Sequence, residues 1–546
     1  MGFLTTSLTG LMAAQRALET ASHNVANVNT EGYSRQRAEQ SARRPELTGN
    51  GYVGQGVNVN TVTRSYDQFV TNQLNSSTSL LSEAESYTIK ASQVDNIVSN
   101  TVTGLPPALK AFFNAVNEVA NNPTAVSVRQ VMISEADGLA KQFNLMTDQL
   151  NVFRTQNNGQ MGAMVTDINA YAQSIADINV KIVTDASRGN GGQPPNDLLD
   201  QRDLLLAQIS EKVNTASVIM ADGSMSVFIG DGQSLVLGTQ TAKLSLLDST
   251  TDSSHKLVAI NGQDITSSIT GGALRGAIRF RDEVLDPAQN QLGLVAAGFA
   301  VEFNKLHKTG FDLNGVAGID MFKFAGSSTA VPVVPFPGGT GTITAAYDPA
   351  ATGNLQPSDY RLDFNAGIYS LTRLSDNTAI PIGGVLPASV EGMTITQTAL
   401  PLGVSSFLIR PTYRAGQDIQ SVITDPRKIA AAGTGGVPPI PGDNAVALQL
   451  AGLEKKNVLF GAKSTLNDAY SQLISKVATL THSAKVGRDA QQVLFNQAKQ
   501  TRENMAGVNL DEEAANLIKF QNAYQASAQA ISAAKSMFDV LISAVR

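Results

Sequence analysis

At both ends of this chain, apolar residues recur at alternating steps of three and four for longer than any neighbouring core could cover. In the first segment Leu4, Leu8, Leu11, Gln15, Leu18, Ser22 and Val25 keep this spacing, which is that of a coiled-coil seam. Ala13, Ala14, Ala17 and Ala21 fill the flanking faces, so another helix can approach closely. The segment runs into NVNTEGYSRQR, where Asn29 and Gly32 supply the helix stop and the turn. The far end mirrors it. Asn509 and Glu512 have capping-box spacing, with Asn in place of Ser or Thr. From there Leu517, Phe520, Tyr524, Ser527, Ile531, Ala534, Phe538, Leu541 and Val545 step to the penultimate residue. Apolar residues at helical spacing are most often ordinary core, but here the length of the stripes argues for pairing with each other and with neighbouring copies. An isolated pair of this size gains little in water, because each face buries only the other. The ends are therefore expected to fray in the monomer and to order on assembly.

Between them the periodicity divides the chain. Helical stripes are expected from Leu74 to Val98, and after Pro106 and Pro107, where Leu109, Phe112, Val116 and Val119 fall on one face. A long stripe from Leu139 to Ile182 crosses a weak NNGQ stretch and suggests an elongated bundle. RGNGGQPP (Arg188 to Pro195) ends it, and Asn196 is placed to cap DLLDQRDLLLAQIS. From about Val213 the period falls to two around DG and GDG turns, as in β-hairpins. A helix returns at Asp286 to Lys308, and then Gly and Pro are dense and apolar runs short until about Asp425. PRKIAAAGTGGVPPIPGDN reads as a linker back to helix, with Leu466, Tyr470, Leu473 and Val477 on its next stripe. The expected fold is multidomain α+β, comprising a terminal coiled-coil core, an elongated helical-bundle body and inserted β-rich outer regions. The expected divisions are 1–60 with 508–546, then 61–212 with 271–310 and 430–507, a small β-hairpin region at 213–270, and a β-rich outer domain at 311–429.

Little in the composition points to chemistry. Charged residues make up only 16% of the chain, against roughly 25% in an average soluble protein. A net charge of -6 argues against nucleic acid or an anionic membrane as the main partner. The basic cluster Arg35, Arg37, Arg43 and Arg44 is interleaved with Glu39 and Glu46 and reads as a solvated turn. With no cysteine there is no disulfide, zinc–thiolate site or thiol nucleophile. The N-terminus lacks the basic n-region and apolar core of a cleavable signal, and no stretch reaches the ~18 apolar residues that span a bilayer, so membrane insertion is not expected. His23, His255, His307 and His482 are scattered over four segments, the pattern of surface or satisfied core residues rather than of bases or ligands. Gly49, Gly51 and Gly54 match G-x-G-x-x-G but precede the strand-like VNVNTV, so a hairpin turn is the better reading. Asp312 and Asn314 begin like a calcium loop, yet Val316 breaks it and no Glu closes it. Asp197, Asp200 and Asp203, with Arg202 among them, read as a structural ion network. No catalytic residue, cofactor or metal is expected.

SHNVANVNTEGYSRQ (Ser22 to Gln36), with Asn24, Asn27, Asn29, Gly32 and Tyr33 carrying the match, resembles the signature of bacterial flagellar rod, hook and hook-associated proteins. LIKFQNAYQASAQAISAAKSMFDVLISAV (Leu517 to Val545) is similar to that superfamily's closing helix, and GQGVNVNTVTRSYDQFVTNQL also fits. NDLLDQRDLLLAQIS, FNKLHKTGFDLNGVAG and GDNAVALQL resemble the members that form the junction between hook and filament. From about Phe324 to Thr424 no motif matches. The resemblance implies a structural subunit exported unfolded, with a chaperone, through the flagellar type III export apparatus. Paired terminal helices would line the axial core outside the cell. The implied partners are copies of itself, the hook protein and hook-associated protein 3. Head-to-tail contacts of this kind generate rings or helical assemblies. Two alternatives remain open at this point. One is another axial protein, either the hook protein or a hook-associated protein 3. The other is a ligand-binding or enzymatic module in the β domain, whose signature would be a deep pocket with converging polar groups.

Overall fold

The computed structural model describes residues 2–545 except 49–50, 101, 103, 188–193, 325–326 and 436–441. Gly49 and most of the RGNGGQPP segment thus lie outside the described residues. Helix α1 (Gly2–Ala26) is followed by a ribbon in which β1 (Gln36–Ala42) pairs antiparallel with β4 (Val57–Arg64), and a short hairpin of β2 (Glu46–Thr48) and β3 (Gly51–Val53) extends from its end. Of the basic cluster, Arg37 lies in β1 and Arg43 and Arg44 are exposed in the link to β2, as expected of a solvated turn, whereas Arg35 is drawn into ion pairs. The chain's alternation of VNVNTV with QRAEQSA was enough to make a ladder once the two met.

The body is built by α2 (Gln68–Val98), α3 (Leu105–Asn121), α4 (Val126–Ser187) and α5 (Asn196–Lys212). Helix α2 starts six residues before the expected Leu74, because the Asp67 carboxylate accepts from the amides of Phe69 and Val70 and caps it there. Helix α4 runs unbroken for 62 residues, roughly 93 Å at 1.5 Å per residue. Its NNGQ stretch is no break, because three of its polar side chains reach a neighbouring element. Asn157 donates to the Ala277 carbonyl, Asn158 to the Ser254 carbonyl, and Lys90 reaches Gln160. Here the helix passes from one hydrophobic core to the next. Asn196 does not cap α5, whose preceding residue is Pro195; its side chain instead donates to the Val62 carbonyl and ties α5 to the ribbon.

The second half of α4 carries the small β region. The order is β5 (Thr215–Ile219), β6 (Met225–Ile229), β7 (Gln233–Leu237) and β8 (Gln240–Thr241) in one antiparallel sheet, with β9 (Leu244–Asp248), β10 (Lys256–Ile260) and β11 (Gln263–Asp264) in another. Met161, Ile168 and Ile175 of α4 share a core with Val227, Val236 and Val258. Asn179 fixes the register by donating to Met225 and Gly238 carbonyls and accepting from the Met225 amide. The chain returns through α6 (Gly272–Phe280), a π turn at Arg281–Leu285 and α7 (Asp286–His307), the most deeply buried helix.

Beyond it, β12 (Phe322–Phe324) will pair with the last strand of the outer region. β13 (Ala330–Val331), β14 (Val333–Pro335), β15 (Thr342–Tyr347), β16 (Tyr360–Asn365), β17 (Ile368–Arg373), β18 (Thr378–Ile380), β19 (Ala388–Val390), β20 (Met393–Ala399) and β21 (Ser405–Ile409) follow. They form two antiparallel sheets, ordered β13-β15-β20-β19 and β14-β21-β16-β17-β18. Alternate residues such as Ile343, Tyr360, Leu362, Ile395 and Phe407 point inward. After a single turn α8 (Ala415–Asp418), β22 (Ile419–Ser421) closes on β12. The segment after Pro426 is no loose linker. Ile429, Ala430 and Ala431 are buried against the body, held by His307 and Arg129, before α9 (Ala445–Gly452). Helix α10 (Leu466–Ala506) then starts at a capping box of Thr465 and Asp468, and α11 (Leu510–Val545) follows Gly507. One hydrophobic core runs without a break from α2 and α3 through the ring cluster of Phe112, Phe299, Phe303 and Phe322 into the outer sheets.

Candidate assembly surface

The terminal pair is assembled from small residues. The face of α1 that packs on α11 and on the β1–β4 ribbon carries buried Ser7, Ala13, Ala14, Ala17, Ala21 and Asn24, and α11 answers with Ala534 and Glu513. Gly10 allows the closest approach: a Cβ there would lie 3.3 Å from the Ser527 hydroxyl. The pair is not alone, because the ribbon lies along α1, with Gln40 donating to the Ala13 carbonyl and Thr9 accepting from the Val57 amide. This support from strands was not foreseen in the helical stripes.

With small residues turned inward, the larger ones face out. Leu4 and Leu8 of α1 are exposed, and Leu11, Leu18 and Val25 are half-buried. On α11, Leu517, Phe520 and Ile531 are half-buried, while Tyr524, Phe538 and Leu541 are exposed, Phe538 by 63%. The side chain of Val545 lies outside the described residues. The predicted seam residues are thus gathered on one helix pair, yet most of their apolar surface is uncovered in the single chain.

A polar lock fastens this pair to the body. Asn24 is buried and fully engaged. Its carbonyl oxygen accepts from the Gln36 amide at 2.9 Å and from the Tyr33 hydroxyl at 2.8 Å, while its amide donates to the Gln36 carbonyl and to Glu513. Burial, with Asp197, Asp200 and Glu513 nearby, pushes the Tyr33 phenol well above its ordinary range, so it remains a donor. Asn27 caps the end of α1 by donating to the His23 carbonyl and accepting from Thr30, whereas Asn29 is exposed. Gly32 has φ +82, and a Cβ there would press on the Leu204 side chain at 3.1 Å, so both the backbone and the space call for glycine.

Around this hub the ion pairs converge. Arg35 binds Glu512 at 2.7 Å and the buried Glu513 at 2.8 Å. Asn509 caps α11 through the amides of Asp511 and Glu512, leaving the Glu512 carboxylate free for that arginine. Arg502 donates to the carbonyls of Gly32 and Tyr33. Beneath them Arg64 bridges Asp200 at 2.7 Å and Asp203 at 2.6 Å and stacks on Tyr66. The expected ion network on α5 therefore exists, but its cation is Arg64. Arg202 turns the other way, to Asn179 and the Gly223 carbonyl. Arg64, Glu513 and Arg502 were missed, and Arg35 was read as solvated, because their partners lie more than a hundred residues away in sequence. The acidic run DEE at the start of α11 opposite the arginines of YSRQR was the one available sign.

A polar cavity of about 800 Å³ lies where the outer sheets, the 249–255 turn, α7 and α10 meet. Its charges answer one another. Arg410, stacked 3.4 Å over Tyr413, binds Asp252 and Asp359, and Arg154 binds Asp286. The Ser254 hydroxyl and amide and the Arg410 guanidinium hold Asp252 down to about 2 against the effect of burial, while burial pushes Asp359 up to about 6. This is the arrangement of a domain clamp. Among the described residues no three His, Asp or Glu side chains gather as a metal site, and no helix is long and apolar enough to cross a membrane. The 312–316 segment is a turn closed on itself, Asp312 accepting from the amides of Asn314 and Val316.

Comparison with known proteins agrees with this geometry from end to end. Residues 91–322 match the family described as flagellar hook-associated protein FlgK helical domain. Residues 4–33 match the flagella basal body rod protein family, and 499–544 the flagellar basal body rod FlgEFG protein C-terminal family. The chain is 32% identical over 544 residues to flagellar hook-associated protein 1 of Escherichia coli (strain K12), covering 98% of each. It is 25% identical over 580 residues to the protein of that name from Bacillus subtilis (strain 168), covering 99% of this chain and 97% of the other. Its fold is similar to that of the flagellar hook junction protein FlgK from Burkholderia pseudomallei, with a TM-score of 0.69 at 24% identity over 79% of this chain and 99% of that one. With both terminal helices, the motif between them and the helical body matched along nearly its whole length, the chain belongs to the flagellar hook-associated protein 1 family and is a structural subunit of the flagellar axial assembly.

Proposed function

We propose that this chain is the adaptor between hook and filament and that it works by head-to-tail assembly of its terminal helices. The observation that carries the reading is the outward stripe: after α1 and α11 pair through alanines, Leu4, Leu8, Tyr524, Phe538 and Leu541 remain exposed. Exposed apolar rows of this length mark surfaces that another protein covers. On this reading the units 1–60 with 508–546 form the axial core, the helical body with the 213–270 hairpins surrounds it, and the 311–429 sheets face outward. One edge of the assembled zone matches the hook protein and the other hook-associated protein 3. The chain reaches its place outside the cell through the flagellar export apparatus, with a chaperone. Its role is differential binding, with no catalytic step.

Deletion in the native host tests this. Cells should build hooks, lack filaments and release flagellin into the medium, and normal filaments in that strain would end the proposal. Purified protein that grew into long tubes on its own would instead identify a hook-type subunit.

A further inference from the structure

The hairpin of β2 and β3 stands out as a surface with no use inside the chain. Every described side chain from Arg43 to Gly54 is exposed. Leu47 and Tyr52 sit directly opposite each other across the ladder, 69% and 74% exposed, so they form one apolar knob. A two-stranded hairpin without a covering surface is marginal in water. Arg43 and Arg44 lie in the link that leads into β2 and Glu46 accepts from Gln55, so the hairpin carries a net positive charge.

A groove of about 940 Å³ opens at the opposite end of the terminal pair, between the 28–35 turn, α2, α5 and the α10–α11 corner. Its floor is apolar, with Val70, Leu74, Leu204 and Phe495. Its rim is acidic. Glu31, Asp67, Asp203, Glu211, Glu503 and Glu512 line it against Arg35, Lys499 and Arg502, and Glu31 and Glu211 are exposed. An apolar knob on a net-basic hairpin and an apolar floor with a net-acidic rim are complementary.

The hairpin cannot reach its own groove. The ribbon runs from Gln36, bound by Asn24, back along α1 to Gly56 beside Thr9, and the hairpin continues beyond. From Thr9 to Val28 is roughly 28 Å along a helix. A second copy displaced along that axis brings the two together, and such a contact is head-to-tail and repeats. We propose that the β2–β3 hairpin of each copy docks into the groove between α2, α5 and the α10–α11 corner of the next copy. This rests on the reading of the chain as a self-assembling axial subunit.

The chain contains no cysteine, so an engineered pair reports the contact cleanly. Tyr52→Cys with Met505→Cys, both at exposed positions, would be expressed in the full-length chain in a host lacking its own copy. Isolated flagella would then be oxidised and blotted. The expected result is a ladder of disulfide-linked multimers, lost in either single variant. Protein present on the flagella without a ladder overturns the docking but leaves the adaptor reading standing. Wild-type protein absent from the flagella overturns both. Should the cysteine pair fail to incorporate, charge reversal decides. Arg43→Glu with Arg44→Glu should cut incorporation roughly tenfold, and adding Glu31→Lys with Glu211→Lys should restore it, whereas no restoration overturns the docking.

Discussion

At the scale of single residues, the asparagine that carried the family resemblance earns its place through its bonds. Asn24 satisfies four groups, two of them on the half-buried Tyr33 and the buried Glu513. Asn24→Ala removes all four bonds; Glu513 keeps Arg35 and Tyr33 keeps His23, but the Gln36 backbone groups lose this partner, which costs about 1–3 kcal/mol. Amide exchange should therefore quicken across 2–35 and the start of α11 while the body's rates stay unchanged. His307 illustrates the other kind of residue, one whose role no motif could suggest. Its Nδ1 faces the Ile319 carbonyl at 2.6 Å and its Nε2 accepts from the Ala430 amide at 2.9 Å, so the ring is held neutral with its proton on Nδ1. Burial first, with Arg129 contributing, brings its pKa down from 6.5 to about 4 despite Asp320 and Asp312. The unfolded chain takes up the proton first, so this contribution to stability is complete above pH 6.5 and is lost as pH falls towards 4. It amounts to about 3 kcal/mol. In urea unfolding the gap between wild type and His307→Gln should therefore be widest near pH 7 and close towards pH 4; a gap independent of pH would refute the assignment.

At the scale of elements, close approach decides more than stripe strength. Helix α7 touches the turn before α8 so tightly that a Cβ on Gly293 would fall 1.7 Å from the Thr412 carbonyl oxygen. Gly293→Ala should thus cost more than about 3 kcal/mol and lower Tm. Gly138 of α4 has nothing within 4 Å, and Gly138→Ala should raise stability by about 0.5–1 kcal/mol through helix propensity. Calorimetry on the two variants separates packing from propensity. The helices themselves were legible from their three-and-four spacing, and so were the hairpins around DG turns. What escaped was continuity. NNGQ read as weak because its polar residues have no partners in local sequence, and they gain them only where α4 crosses α6 and the 249–255 turn. The segment after Pro426 read as linker for the same reason, since nothing local shows that His307 and Arg129 will bury it.

For the whole molecule, folding and assembly draw on different faces of the same two helices. Phe538 is 63% exposed in the single chain, so Phe538→Asp should shift stability by no more than about 0.5 kcal/mol. It should nevertheless abolish incorporation into flagella, measured by blotting isolated hooks. Loss of the fold in that variant would show that the seam serves the monomer rather than the assembly. The outer sheets share one hydrophobic core with the helical body and are tied by Arg410 to Asp252 of the 249–255 turn, so they are held as one piece against which the terminal pair is latched.

The sequence by itself determined the two terminal helices, the order of helix and strand and, through SHNVANVNTEGYSRQ and its internal companions, the family. Those are properties of local period and local motif, and they survive without knowledge of what packs on what. Only the tertiary structure decided which face of each terminal helix turns inward. The stripes name leucines and phenylalanines as the seam, yet the chain closes on its alanines and Gly10, because small residues let α1 and α11 approach while the ribbon covers their flank. The large apolar residues are left outside, where they can meet another subunit.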